Sequence, residues 1–383
     1  MEYSKVITKM EASPIRAMMV KAAAKDNVIS LSPGQPDFIP EPNVIEYAKS
    51  KMEESSRYAP GAGIDSLRET YVEYLNDEIG TDYTVDNVMV TVGGMSALHL
   101  ALSSILNPGD EVLVSEPYFT NYDGMIRMTN GTPVKMKVTE EDNFQVTAEI
   151  IEQYITDKTK AIILNSPCNL TGQVLDEDTI TKIAELALKN DIFVISDEVY
   201  RHIIYDNKKF YSIASISQMK ENAIVVDSCS KSSAMAGFRV GFLTGPQTLI
   251  ELCTKAIENV YSCATTMCQF AAEEAIKTGA DYRKFMCSEY EKRRNYLCDR
   301  IDKMPELSCK RPQGAFYLYI NVSKTNMTGE EFANNLLEKG NVAVVPGSSF
   351  GESGKNYIRI SFATSMENLI EAFNRIEAFV SSI

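Results

Sequence analysis

AIVVDSCSKSSAMAGFRVG, residues 223–241, is the stretch from which the rest of the chain is read. Its opening AIVV is a continuous apolar run, as expected of a strand buried on both faces. The turn that follows carries Lys231, with Ser228 and Ser230 before it and Gly237, Arg239 and Gly241 after it. A lysine shielded in a pocket has a lowered pKa and can bond an aldehyde carbon. An arginine eight residues on can grip a phosphate through paired hydrogen bonds. A plain surface loop would also hold basic residues. The hydroxyls and glycines gathered around one lysine and one arginine weigh against that reading.

Outward from this stretch, short apolar runs alternate with helical patterns. VMVTV (88–92), EVLVS (111–115), AIIL (161–164) and IFVIS (192–196) read as further strands. Gly93-Gly94 leads into a helix over 96–106, and a second helix is expected over 177–189 with Asp176 as its N-cap. Alternating strands and helices predict an α/β fold whose large domain has a mostly parallel sheet covered by helices. The pattern changes after about residue 279. A charged helix over 281–303, short strands over 315–320, 342–345 and 357–362, and a final helix over 366–379 predict a smaller α/β domain. The turn-rich SPGQPDF (32–38) places the first forty residues as an arm draped over it. The expected division is 1–40 for the arm, 41–279 for a large cofactor-binding domain and 280–383 for a small C-terminal domain.

Composition narrows the chemistry. The 383 residues hold 38 Lys+Arg against 52 Asp+Glu, a net charge of −14, which argues against a general nucleic-acid or anionic-membrane binder. Only two histidines occur, His99 and His202, so a His-rich metal site is excluded and proton transfer falls to Lys, Tyr, Asp or Glu. The eight cysteines form no CxxC pair, and a structural zinc or other metal site is not expected. MEYSKVITKM at the start lacks an apolar signal core, and no apolar run reaches membrane-spanning length. The expectation is a cytoplasmic protein with reduced thiols.

Several motifs fail on inspection. PGSSFG (346–351) contains G-x-S-x-G, but both histidines precede Ser349, against the order of an α/β-hydrolase. Gly61-Ala62-Gly63 lacks the third glycine of a dinucleotide loop, and GESGKN (351–356) lacks the spacing and hydroxyl of a P-loop. What remains are polar residues at the carboxyl ends of the expected strands, where open parallel sheets bind ligands. Gly94, Met95 and Ser96 lie between a strand and a helix, where backbone N–H groups can hold a phosphate; a tight turn would read the same way. Asn169 sits in NSPCNLTG (165–172), which turn chemistry alone would explain. Asp197 directly follows IFVIS and needs a partner at the mouth of a dry core, or else serves as a cap or loop ion pair. Tyr200 lies three residues on.

Together these residues resemble the fold-type-I, class I/II aminotransferases of the aspartate aminotransferase superfamily, which depend on pyridoxal 5′-phosphate. The resemblance runs from SPGQPDF (32–38) to YIRISFA (357–363), through RYAPGAGIDSLRE (57–69), VGGMSAL (92–98), EPYFTNY (116–122), SPCNLTG (166–172), SDEVY (196–200), SCSKSSAMAGFRVG (228–241), PQGAFYLY (312–319) and VPGSSFG (345–351). It implies that Lys231 carries the cofactor as an aldimine and that Asp197 pairs with its ring nitrogen. By the same resemblance Asn169 and Tyr200 bond the ring hydroxyl and Phe119 stacks on the ring. Gly94, Met95, Ser96, Ser228, Ser230 and Arg239 fall on the phosphate cup. Tyr58 reaches the phosphate from a neighbouring subunit, implying a homodimer with composite sites. Arg359 grips the substrate α-carboxylate, and Gly34 lies in the loop over it. One departure stands out: Leu170 replaces the proline that usually follows the asparagine, which predicts a less restrained loop.

The expected reaction moves an amino group from an L-amino acid to a 2-oxo acid by ping-pong chemistry, with no histidine needed. A carbon–sulfur β-lyase or decarboxylase of the same fold shares the Lys, Asp and Arg set. A non-catalytic regulator that reuses the fold is a further alternative, against which the intact Lys231 speaks.

Overall fold

A computed structural model describes residues 2–10 and 14–383; residues 1 and 11–13, inside the arm expected over 1–40, lie outside the described residues. Thirteen strands occur among the described residues: β1 (Ile29–Ser30), β2 (Val88–Thr91), β3 (Glu111–Glu116), β4 (Thr132–Lys137), β5 (Thr159–Asn165), β6 (Phe193–Asp197), β7 (Ala223–Ser228), β8 (Gly241–Thr244), β9 (Ser308–Cys309), β10 (Tyr317–Asn321), β11 (Val342–Ala343), β12 (Val345–Pro346) and β13 (Tyr357–Ser361). Seven form one sheet in the order β2-β8-β7-β6-β5-β3-β4. β8 runs antiparallel to both neighbours, and every other pair in this sheet is parallel. The α/β class and the mostly parallel sheet therefore stand.

All six residues of β7 are buried, so AIVVDS contributes apolar bulk to both faces of the sheet. Burying each Ile or Val stabilises the fold by about 1.5–3 kcal/mol relative to leaving it exposed. In register, Asn165 pairs with Asp197 and Asp197 with Val226, so the carboxyl ends of β5, β6 and β7 lie side by side. That edge is where the chain turns from apolar to polar, and it positions the candidate site.

The helix over Glu177–Lys189 begins as expected, with Asp176 accepting a hydrogen bond from Thr179 N. Two strands of the large sheet were not readable. β4 (TPVKMK) sits at the sheet edge with half its residues exposed and carries Pro133, which weakens a strand pattern. β8 has only four residues and opens on glycine. The expected strand over 342–345 is two strands: β11 pairs with β1, while β12 pairs with β13. Helices Asp65–Ile79, Gln247–Val260 and Thr266–Thr278 also lie where no element was read.

A second sheet, β12-β13-β10-β9, is antiparallel throughout. Met18, Ala22 and Leu31 share one apolar core with Leu297, Phe316, Phe332 and Phe373. A different core, including Val90, Leu164, Val194 and Val225, lies on one face of the large sheet.

Candidate active site

Lys231 stands in the helical turn Cys229–Ser232 immediately beyond β7. Ser228 caps that turn, its hydroxyl accepting from Ser230 N at 3.1 Å and lying 2.7 Å from Ser230 Oγ and 2.9 Å from the Val240 carbonyl. Asp227 Oδ1 accepts from Ser228 N at 2.7 Å and pins the strand end. The lysine amine donates to the Gly34 carbonyl and lies 5.8 Å from the ring centres of both Tyr200 and Phe316. Burial pushes its pKa down to about 8; Arg359 and Arg239 push the same way, and Asp197 pulls against them.

Asp197 ends β6 and is buried. Burial raises its carboxyl to about 6, while Tyr122 Oη, donating to Oδ2 at 2.6 Å, draws it back toward ionisation. Tyr122 was not singled out in the sequence. It lies in EPYFTNY, but nothing local names a partner 75 residues away. Phe119, three residues earlier, meets Tyr122 edge-on with ring centres 5.5 Å apart.

A continuous polar chain crosses from the large sheet to the small one. Tyr317 and Tyr200 hydroxyls lie 3.0 Å apart, Asn169 Nδ2 donates to Tyr200 Oη at 2.9 Å, and Arg359 Nη1 donates to Asn169 Oδ1 at 3.4 Å. Arg359 projects from β13; its Nη2 donates to the Ser32 carbonyl at 3.2 Å. The guanidinium lies over the rings of Tyr317 and Phe350, 4.4 and 4.9 Å from their centres. Arg359 Nε is buried with no hydrogen-bond partner among the described residues. Tyr317, Phe350 and Ser32 were missed for the same reason as Tyr122: each is defined by partners distant in sequence.

Leu170 is fully buried against Val138, Phe144, Tyr319, Val345 and Phe350. The loop that holds Asn169 is therefore fixed by packing and by Asn169 N donating to Asn165 Oδ1 at 2.7 Å. Burial of Leu170 and this bond restrain the loop in the absence of the proline.

The residues expected to form a phosphate cup converge at the start of the helix Gly93–Ile105. Gly93 takes a left-handed φ of +72°, and a Cβ there would collide with the Arg239 guanidinium. Arg239 is itself left-handed, at φ 57°, and its Nη1 donates to the Ala236 carbonyl at 2.8 Å. Gly241 must also be glycine, since a Cβ would stand 2.5 Å from Gly94 N. The Ser96 hydroxyl is buried with no partner among the described residues. Met95 Sδ accepts from Asn121 Nδ2 at 3.6 Å. The site thus combines a partly neutral amine, a buried carboxylate, an N-terminal helix cradle with a free hydroxyl, and a buried guanidinium with an unpaired donor. It can bond a carbonyl carbon, hold a phosphate and orient a carboxylate. Tyr58 stands apart from these residues, 88% exposed. His202 lies 2.7 Å from Tyr74 Oη and beside Arg201, and burial holds it neutral.

Comparison with known proteins identifies the family. The family model "Aminotransferase class I and II" matches residues 26–376. The chain is 40% identical over 379 residues to the putative aminotransferase YugH of Bacillus subtilis, covering 98% of each chain. It is 39% identical to an aspartate aminotransferase of Pyrococcus abyssi, covering 95% of each. The crystal structure of an aromatic aminotransferase from Pyrococcus horikoshii superposes with a TM-score of 0.91 at 38% identity, covering 95% of this chain and 99% of that one. The chain belongs to the class I and II aminotransferases, and it is an enzyme that transfers amino groups.

Proposed function

We propose that this aminotransferase works with pyridoxal 5′-phosphate held covalently by Lys231 and moves the amino group of an L-amino acid to a 2-oxo acid. The observation that carries the reading is the Lys231 amine, brought to about 8 by burial, set in a cradle whose Ser96 hydroxyl has no partner and whose Asp197 carboxylate is buried. Those features fit the group: an aldehyde for the amine, a phosphate for the hydroxyl and helix start, a ring nitrogen for the carboxylate. Pyridoxal phosphate supplies, when bound, a sink for the electrons left on substrate Cα.

The protein's own residues do the rest. Lys231 would hold the group through its ε-amine, which would also carry the proton to and from substrate Cα. Asp197 keeps a proton on the ring nitrogen. Asn169 and Tyr200 would hold the ring hydroxyl, and Phe119 would hold the ring. Gly94, Met95, Ser96, Ser228, Ser230 and Arg239 hold the phosphate, joined by Tyr58 of a second subunit in a homodimer. Arg359 holds the substrate α-carboxylate, and the Gly34 loop shields it from water. Residues 1–40, 41–279 and 280–383 act as arm, large domain and small domain. Eight unpaired cysteines support a reducing, cytoplasmic setting. The relatives' names, aspartate and aromatic aminotransferase, support a transaminase over a carbon–sulfur β-lyase.

The direct experiment is a panel of amino donors against 2-oxoglutarate and pyruvate, with cystathionine included. Formation of 2-oxo acids from several donors, without pyruvate and ammonia release from cystathionine, is the expected outcome. In the same panel Arg359→Lys raises KM about tenfold or more for every donor, because an ammonium cannot reproduce the paired bonds of a guanidinium. An unchanged KM would remove Arg359 from the carboxylate site.

Tyr122→Phe removes the bond that favours ionised Asp197, so the carboxyl moves above about 6. A hydrogen bond to a charged group is worth about 1.5–3 kcal/mol, or roughly one to two pH units. In the cofactor-free protein the titration profile of the Asp197 carboxyl, followed by NMR, therefore shifts upward by about that much. A superimposable profile would show that Tyr122 does not tune Asp197.

A further inference from the structure

The segment 32–39 is fastened at both ends. At its inner end the Ser32 carbonyl accepts from Arg359 and the Gly34 carbonyl from Lys231. Gly34 packs against Tyr317 so tightly that a Cβ would stand 2.7 Å from the phenol oxygen. At its outer end the segment meets the helix Ala280–Ile301. Asp37 Oδ1 pairs with Arg293 Nη1 at 2.8 Å. The Phe38 ring is met edge-on by Tyr290, with centres 5.4 Å apart, and Tyr282 Oη donates to the Ile39 carbonyl at 2.5 Å.

A further hydrogen bond of Arg293 joins the two halves of the arrangement. The same Nη1 donates at 3.3 Å to the carbonyl of Phe362, the residue that directly follows β13, the strand bearing Arg359. Its guanidinium also lies 5.2 Å from the Phe38 ring centre. The Arg293 side chain is 8% exposed and that of Asp37 25%, so the pair is shielded from solvent and from screening by salt. One guanidinium thus ties the segment over the site to the end of the strand that presents the carboxylate-binding arginine.

We infer that Arg293, through Asp37, is a positioning residue for the carboxylate of the amino-acid and 2-oxo-acid substrates. It fixes the Ser32 and Gly34 carbonyls relative to Arg359 before substrate arrives. Without it, ordering the segment is charged against binding. The carboxylate is held alike in the ground and transition states, so the loss falls on KM and not on kcat. The inference rests on the reading of Arg359 as the carboxylate-holding residue.

The test uses the cofactor-loaded enzyme with Arg293→Gln, Asp37→Asn and the double variant. KM for an amino donor is measured, together with Kd for succinate and for 3-phenylpropionate, carboxylates with no amino group to transfer. Each single variant should raise KM and the tighter-binding probe's Kd about tenfold, with the double variant no worse than the weaker single one. kcat and the Kd for pyridoxal phosphate should stay within about twofold of the parent. An unchanged KM and probe Kd overturns the inference, as does a fall in kcat and cofactor affinity that matches the rise in KM, the pattern of a merely structural residue. If Arg293→Gln does not fold, Asp37→Asn, equal in shape, carries the same readouts. If Arg359→Lys raises KM and these variants do not, the inference fails alone; if Arg359→Lys also leaves KM unchanged, the reading of Arg359 fails with it.

Discussion

Replacing Lys231 with alanine abolishes transamination. A positioned general base alone contributes about 10²- to 10⁴-fold, and the covalent hold on the cofactor is lost with it. Turnover should therefore fall by roughly 10⁴-fold or more. The cradle does not depend on the lysine: Ser96, Ser228, Ser230 and the helix start at Gly93 keep their places, because Ser228 is held by Ser230 N and by the Val240 carbonyl. The variant should still bind pyridoxal phosphate, without the covalent adduct that borohydride traps in the parent. Peptide mapping of the reduced parent should place the label on residue 231. Ordinary turnover by the alanine variant, or a label on another lysine, would defeat the assignment.

Asp197→Asn separates function from stability. In the cofactor-loaded enzyme the amide can no longer hold a proton on the ring nitrogen by charge, and loss of such a placed electrostatic group costs about 10²- to 10³-fold in kcat. In the cofactor-free chain the effect has the opposite sign. Burial raises Asp197 from 3.8 to about 6, so the folded chain holds this proton more tightly than the unfolded chain. The stability it contributes is full below about pH 4 and is lost as pH rises through about 6. A shift of roughly two units corresponds to about 3 kcal/mol at neutral pH. The asparagine, which can still accept from Tyr122, escapes that penalty. Thermal unfolding of the cofactor-free proteins at pH 7 should show the variant more stable, and the difference should vanish near pH 4. A less stable variant at pH 7 would mean that Asp197 is ionised and satisfied without the cofactor.

Much of the site was legible because its chemistry is local. Lys231 sits among hydroxyls and glycines within fourteen residues, and the turn geometry they impose is visible in composition alone. Asp197 stands at the end of an apolar run, and a carboxylate there advertises itself. Asp176 caps its helix as read, since an N-cap needs only the next three residues. The contacts that were not legible span long intervals: Tyr122 to Asp197, Arg359 to Asn169 and Arg293 to Asp37 join residues 75, 190 and 256 apart.

The large sheet shows the same division. Fully buried strands such as β7 announce themselves as unbroken apolar runs. β4, half-exposed at the edge, and β8, four residues long, do not, because at that length a strand is defined by the neighbours it pairs with. The apolar run 342–345 satisfied a strand pattern, yet its two halves join different sheets, a choice made by β1 and β13.

By itself, then, the sequence determined the fold class and pointed to Lys231 and Asp197 as the candidate amine and carboxylate, readings that rest on residue type, period and turn preference over short spans. Only the tertiary structure decided which hydroxyl faces Asp197, what holds the Asn169 loop once its proline is absent, and which guanidinium ties the Gly34 segment to the Arg359 strand. Those partners are selected by strand register and shared burial, and neither quantity exists until distant segments have packed.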